Sequence, residues 1–346
     1  MPNRRDPQHE GRGAPVRGPL SDAGRDAADL PGAPAAFPPA LADLPWELPH
    51  TFLGLDEVAA DFAAASALIL PVPYESTTSY GGGAKAGPGA ILEASRFIEL
   101  YDQELGAEVA PALGIHTLPS VELTRAGAGP AMAELREVHD RVLEAAGERF
   151  VVMLGGEHSV SGPAIRSHAA RLDGRLTVLQ LDAHADLRPQ YEGTPDSHAS
   201  VMARVLDVAD VVGVGLRAVS AEEVEVADAH DGVHLIWADE MWADDRWMDR
   251  ALERLGPRVY ITYDVDYLDP SLMPSTGTPE PGGGDWYRTL HFLKRVFRER
   301  EVVGCDVVEL APTPGLHAPD FLAAKLVYKL VGYRFQDRFP GAVFGG

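Results

Sequence analysis

Short, mainly apolar runs recur along the chain: 67–73, 150–154, 176–181, 211–216, 259–263 and 302–308. Runs of this length without a regular polar face predict strands covered on both sides. A shorter run, 234–237, predicts one more strand. Between the runs, 88–94, 132–143, 222–225, 290–296 and 321–331 predict helices, and Pro88 after Gly87 stands where a first helical turn tolerates it. Strands alternating with helices predict an α/β fold of three layers, with a mostly parallel sheet between two helical layers. Such sheets bind their ligands beyond the C-terminal ends of the strands.

The polar residues that stop these runs are therefore the candidate chemistry. The run 176–181 stops at Asp182-Ala183-His184-Ala185-Asp186, and 150–154 stops at Gly155-Gly156-Glu157-His158-Ser159. The run 259–263 stops at Asp264-Val265-Asp266, with Asp269-Pro270 beyond it, and 302–308 stops at Glu309. Alternate residues of an extended segment share a side, so Asp182, His184 and Asp186 converge if strand geometry persists past the run. Taken alone, this triplet is equally a set of turn or helix caps. Across the strand ends, however, His158, Asp182, His184, Asp186, Asp264 and Asp266 bring two imidazoles and four carboxylates to one edge. That is too much ligand charge for one small cation, and a carboxylate-rich set suits a hard divalent ion such as manganese. Two ions about 3.5–4 Å apart, sharing a carboxylate, would balance the four negative charges. Water held by such ions ionises near pH ~7 instead of ~15.7 and becomes a nucleophile. The pattern predicts metal-assisted hydrolysis.

Composition narrows the partners. A net charge of -22 over 346 residues disfavours nucleic acid and anionic membrane surfaces and suits a small cationic substrate. Cys305 is the only cysteine, which excludes an internal disulfide and a thiolate zinc cluster and points to the cytoplasm. No run is long enough to span a membrane, and the start is polar where a signal peptide would be apolar. Residues 1–45, rich in Pro, Gly, Ala, Arg and Asp, are expected to form a disordered arm, and 46–346 a single catalytic domain. The cluster Gly81-Gly82-Gly83 precedes a helix without a P-loop pattern and is expected to be a flexible loop at the mouth of a site.

The three motifs around His158, Asp182 and Asp264, with Thr276-Gly277-Thr278-Pro279 and Gly282-Gly283 following, closely resemble those of the arginase/agmatinase (ureohydrolase) family over residues 65 to 335. The resemblance implies an arginase-like fold and two Mn2+ ions, with His158 and Asp186 on one, His184 and Asp266 on the other, and Asp182 and Asp264 bridging. It implies hydrolysis of a guanidinium group to urea and an amine. Glu309 then matches the carboxylate that pairs with the guanidinium, and His198, in Ser197-His198-Ala199, the proton-shuttling histidine. Without the resemblance Glu309 is as well a cap or ion-pair residue, and His198 a surface one. Thr276 is expected to line the substrate pocket, and the family implies a homo-oligomer, trimeric or hexameric.

The segment between Asp186 and His198 bears on the substrate. Arginases similar to this sequence hold the amino-acid end of arginine with an Asn-containing stretch, and residues 187–196 contain no Asn. Arg188 would receive a carboxylate, whereas Glu192 and Asp196 favour an amine tail. Agmatine, giving putrescine and urea, is the first expectation. Aminopropylagmatine, giving spermidine, is second, followed by guanidinobutyrate or arginine; a catalytically silent regulatory member is the non-enzyme alternative.

Overall fold

The computed structural model describes residues 47–56 and 60–339. The expected arm, 1–45, lies outside the described residues. In chain order the elements are β1 Ala67–Val72, α1 Gly87–Ser95, a hairpin of β2 Tyr101–Asp102 and β3 Ala107–Glu108, α2 Val109–Leu113, β4 Ile115–Thr117 and α3 Ala128–Ala146. There follow β5 Phe150–Gly155, α4 Ser161–Ala169, β6 Leu176–Leu181, β7 Ala209–Leu216, α5 Ala221–Asp228, β8 Val233–Trp237, α6 Ala238–Ala243 and α7 Arg246–Arg254. The chain continues through β9 Arg258–Asp264, α8 Trp286–Glu299, β10 Glu301–Val308 and α9 Ala318–Arg334.

Eight strands form one sheet in the order β4-β1-β5-β10-β9-β6-β7-β8, and every pair in it is parallel. Alternate side chains separate onto two cores. Phe150, Val152 and Leu154 of β5 pack on one face with residues of α1, α7, α8 and α9. Val151 and Met153 pack on the other with Leu135 and Leu143 of α3 and Ile165 of α4. The sheet is buried on both sides, which is why its strands read as continuous apolar runs.

The chain path creates the crevice. From β5 it skips two positions to β6, continues outward through β7 and β8, and then returns to fill the gap with β9 and β10. The four strands carrying the candidate residues, β5, β10, β9 and β6, are thus consecutive neighbours at the centre of the sheet, where the strand order reverses.

The pattern does not predict α7, nine residues from Arg246, and its other omissions are short or begin with turn-like residues. β4 has only three residues, and α4 opens with Ser161-Gly162-Pro163, a turn signal that a first helical turn also accepts. The backbone at the end of β5 is set by close packing. A methyl group on Gly156 would overlap the Tyr74 carbonyl, so the exits of β1 and β5 lie against each other only because residue 156 has no side chain.

Candidate metal centre and active site

Asp182 follows β6 directly, and its two oxygens have separate tasks. Oδ1 accepts the His184 backbone N–H at 2.7 Å, closing a tight turn, while Oδ2 lies 3.1 Å from His158 Nδ1 and accepts from Gln180 Nε2 at 2.8 Å. Asp264, at the end of β9, repeats the device: Oδ1 accepts from Asp266 N at 2.8 Å and Oδ2 lies 3.4 Å from His158 Nδ1. Asp266 reaches across with Oδ1 on the Ala183 N–H at 3.0 Å and Oδ2 3.0 Å from His184 Nδ1. Asp186 Oδ2 is 2.9 Å from His158 Nδ1. In Asp182, Asp264 and Asp266 one oxygen accepts a backbone N–H and the other faces a histidine.

Convergence does not come from continued strand geometry, as the sequence reading supposes. β6 ends at Leu181, and Asp186 has φ 52°, in the left-handed region that a non-glycine residue seldom occupies. Its carbonyl accepts from Met202 and Ala203 N–H groups, which hold it there. Glu309, at the end of β10, is likewise left-handed at φ 64°. Such conformations persist where the surroundings over-determine them, and here both belong to the crevice.

The donor atoms fall into two groups, His158, Asp182 and Asp264, and Asp182, His184 and Asp266, with Asp182 in both; within each the atoms lie within 4.8 Å of one another. His158 is prepared as a ligand. Its Nε2 is 2.8 Å from Thr262 Oγ1, whose own proton goes to Asp306 Oδ1 at 2.7 Å, so Thr262 accepts from Nε2–H. In the neutral ring Nδ1 then carries the lone pair, and it is buried without a hydrogen-bond partner, facing three carboxylates. That orphaned atom and the oxygen-rich set fit a pair of hard divalent cations.

The electrostatics state the same demand. Burial, with Asp266 and Asp182 beside it, raises Asp264 well above the carboxylate range, and burial and Asp182 push Asp186 up to about 7. Against its own burial, His184 is pushed up to about 12 by Asp266 and Asp182. Burial also opposes a charged His158, yet Asp182, Asp186 and Asp264 hold it well above its ordinary value. The carboxylates draw protons onto the cluster because they need compensating positive charge.

Glu309 and His198 flank this cluster. Glu309 Oε1 accepts the His158 N–H at 2.6 Å, and no other hydrogen bond to this carboxylate forms among the described residues. Burial pushes it up to about 8, so a cationic partner favours its ionised form. Both residues line a cavity with His158, His184, Asp186, Asp264 and Asp266.

A family model, the arginase family, matches residues 65–332. The chain belongs to the arginase family. It is 39% identical over 289 residues to the N(1)-aminopropylagmatine ureohydrolase of Synechocystis sp., covering 82% of this chain and 94% of that one. Identity to the Thermus thermophilus protein of the same name is 42% over 280 residues, 80% of this chain and 93% of that one. Among solved structures, the agmatine ureohydrolase of Thermoplasma volcanium superposes with a TM-score of 0.72 at 29% identity, covering 80% and 92% of the two chains. This family member is a hydrolase of the agmatinase-like ureohydrolase type, with the mostly parallel arginase-like α/β fold.

The outer pocket departs from several expectations. Gly277 and Thr278, and not Thr276, line the cavity; Thr276 is buried and its hydroxyl makes no hydrogen bond. The glycine loop does stand at the mouth: Gly81 N–H donates to the Gly277 carbonyl at 3.2 Å, and Ser79, Tyr80 and Gly81 line the opening. Arg188 does not stand ready for a substrate carboxylate, since Nε is 3.8 Å from Glu223 Oε2 and its guanidinium lies over Tyr191. Glu192 and Asp196 line neither this cavity nor the space of about 110 Å³ adjoining it. That adjoining space is lined by Arg188, Tyr191, Ala218 and Glu223, and it shares Ser79, His184, Asp186, His198 and Thr278 with the inner cavity. Tyr191, Glu223 and Thr278 are thus pocket residues that the sequence reading misses. Glu223 sits in an ordinary capping box with Ser220, which reads as helix initiation and nothing more.

Proposed function

We propose that the chain hydrolyses the guanidinium group of aminopropylagmatine, releasing urea and spermidine, with agmatine, the first expectation from sequence, as the shorter alternative. The observation supporting hydrolysis is the pair of donor groups sharing Asp182, with Glu309 beside them. The longer substrate is supported by the names of the 39% and 42% identical relatives and by the space leading from His184 and His198 to Glu223.

In this reading His158, Asp182, His184, Asp186, Asp264 and Asp266 would hold two Mn2+ ions. When bound, such ions supply a water-derived nucleophile at neutral pH and neutralise the carboxylates. Glu309 receives guanidinium N–H groups on its unpaired oxygen and orients the carbon that is attacked. The C–N bond to the tail breaks, the amine leaves with a proton, and His198 moves that proton between the site and solvent.

Manganese as the metal, a trimer or hexamer, a cytoplasmic location and a single catalytic domain over 46–346 belong to the same proposal. No helix among the described residues is long and apolar enough to cross a membrane. The test compares kcat/KM for aminopropylagmatine and agmatine with the manganese-loaded chain. A higher value for the longer compound supports the tail subsite; a clear preference for agmatine rejects it.

A further inference from the structure

Glu157 stands next to His158 in the chain but is turned away from the cluster and completely buried. A buried carboxylate needs donors, and this one has four. Oε2 accepts the backbone N–H groups of Ser76 at 2.6 Å and Thr77 at 2.7 Å. Oε1 accepts the hydroxyls of Thr77 at 2.8 Å and Ser159 at 2.6 Å. All four come from the loop after β1 and from the turn after β5, so Glu157 ties the mouth loop to the floor of the site.

The Thr77 hydroxyl extends this connection to His198. Its single proton is committed to Glu157, because a carboxylate only accepts. Thr77 Oγ1 must then act as acceptor toward its other neighbours, the His198 backbone N–H at 3.1 Å and the His198 ring Nδ1 at 3.3 Å. An acceptor facing Nδ1 requires Nδ1–H. The lone pair of a neutral His198 ring is consequently on Nε2, which lies 3.2 Å from Ser79 Oγ at the rim of the cavity. Ser197 Oγ, 3.4 Å from Nδ1, is the longer of the two hydroxyl contacts to that nitrogen.

We infer that Glu157 and Thr77 are positioning residues that fix the His198 tautomer, keeping the proton on Nδ1 and the basic nitrogen, Nε2, toward the substrate. This rests on the reading of His198 as the proton-transferring group. A histidine in the wrong tautomer presents an N–H where a base is needed, and proton transfer must wait for the ring to change form.

Two substitutions separate this from a packing role. Thr77→Val keeps the size of the side chain and the backbone N–H bond to Glu157 but removes the acceptor for Nδ1–H. In Glu157→Gln the backbone donors of Ser76 and Thr77 hold the amide oxygen at the Oε2 position. The amide nitrogen then donates to Thr77, and the Thr77 proton turns to Nδ1. The relay runs backwards and Nε2–H is favoured. The tautomer is read from ring 15N shifts of the full-length chain loaded with diamagnetic magnesium, with His198 assigned by its loss in His198→Asn.

Native protein should show Nδ1–H, Glu157→Gln should show Nε2–H, and Thr77→Ser should retain the native form. With manganese-loaded protein, Thr77→Val should lower kcat by about ten-fold or more with KM within about two-fold, and Thr77→Ser should restore it. An Nε2–H ring in native protein, an unchanged tautomer in Glu157→Gln, or a changed tautomer in Thr77→Val with unchanged kcat would each overturn the inference. If native protein releases no urea from any guanidinium compound, the functional reading fails, while the 15N measurement still decides the relay.

Discussion

Replacing Thr262 by Val tests whether the residue behind His158 prepares it to bind metal. Valine matches threonine in shape and removes the hydroxyl that accepts Nε2–H at 2.8 Å. His158 is 1% exposed, so no bulk water replaces that acceptor. Two outcomes are open to the ring. It can keep the proton on Nε2 with no partner, at a cost of about 1–3 kcal/mol for a buried unsatisfied donor. Alternatively it can move the proton to Nδ1, among the carboxylates of Asp182, Asp186 and Asp264, and that proton must leave before metal binds. Binding metal then returns the proton to an unpartnered Nε2, and at 1.4 kcal/mol per factor of ten that cost is roughly 5- to 150-fold in affinity, which brackets the 10–100-fold typical of groups that orient a ligand.

Thr262→Val should therefore weaken manganese binding by about 10–100-fold, and urea release should recover as manganese is raised to saturation. Asp306 loses one donor in this variant but keeps the Tyr260 hydroxyl at 2.9 Å, so the fold should survive. Manganese affinity by calorimetry, with melting temperature as the control, decides the matter. Unchanged affinity in a folded variant would refute the claim that Thr262 sets the His158 tautomer.

Two further predictions concern stability. Gly156→Ala should destabilise by about 3 kcal/mol, measured by denaturant titration, because the added methyl group meets the Tyr74 backbone, which cannot move without disturbing β1; a loss under about 1 kcal/mol would show that the strand exits adjust freely. His139 and His168 are buried between α3, α4 and the sheet. Burial pushes His139 down to about 4 and His168 down to about 3. Both are bound neutral, so their contribution is complete above the unfolded value near 6.5 and is lost as pH falls, by about 3 kcal/mol each between pH 6.5 and 4. His139→Leu should remove about half of that dependence; an unaltered slope of stability against pH would contradict it.

The fold was legible because its strands are covered on both faces, leaving apolar runs with polar residues only at their ends. β6 falls where its run does, and His158, Asp182, Asp264 and Glu309 all stand at or just past the C-terminal ends of strands that share an edge. What sequence does not carry is the geometry past those ends. The left-handed turn at Asp186, the split use of each aspartate's oxygens and the closing of the mouth by Gly81 on Gly277 depend on partners far away in the chain. Pocket residues were hardest to find. Thr276 was placed one or two residues from those that line the cavity, because spacing in an irregular loop does not say which side chain turns inward. Thr77 and Glu157 stand in the right segments, yet only the hydrogen bonds between them and His198 give them a role.

The central claim, a metal-dependent ureohydrolase with a subsite for a long cationic tail, is tested most directly by one product measurement. The manganese-loaded chain is incubated with aminopropylagmatine, agmatine, guanidinobutyrate and arginine, and urea and the released amine are quantified together, with a chelator-treated sample alongside. Equimolar urea and spermidine from aminopropylagmatine, at the highest kcat/KM of the four and abolished by the chelator, is the expected result. Urea from none of the four would contradict the assignment as a ureohydrolase, and arginine as the best substrate would contradict the reading of the pocket between Arg188 and Glu223.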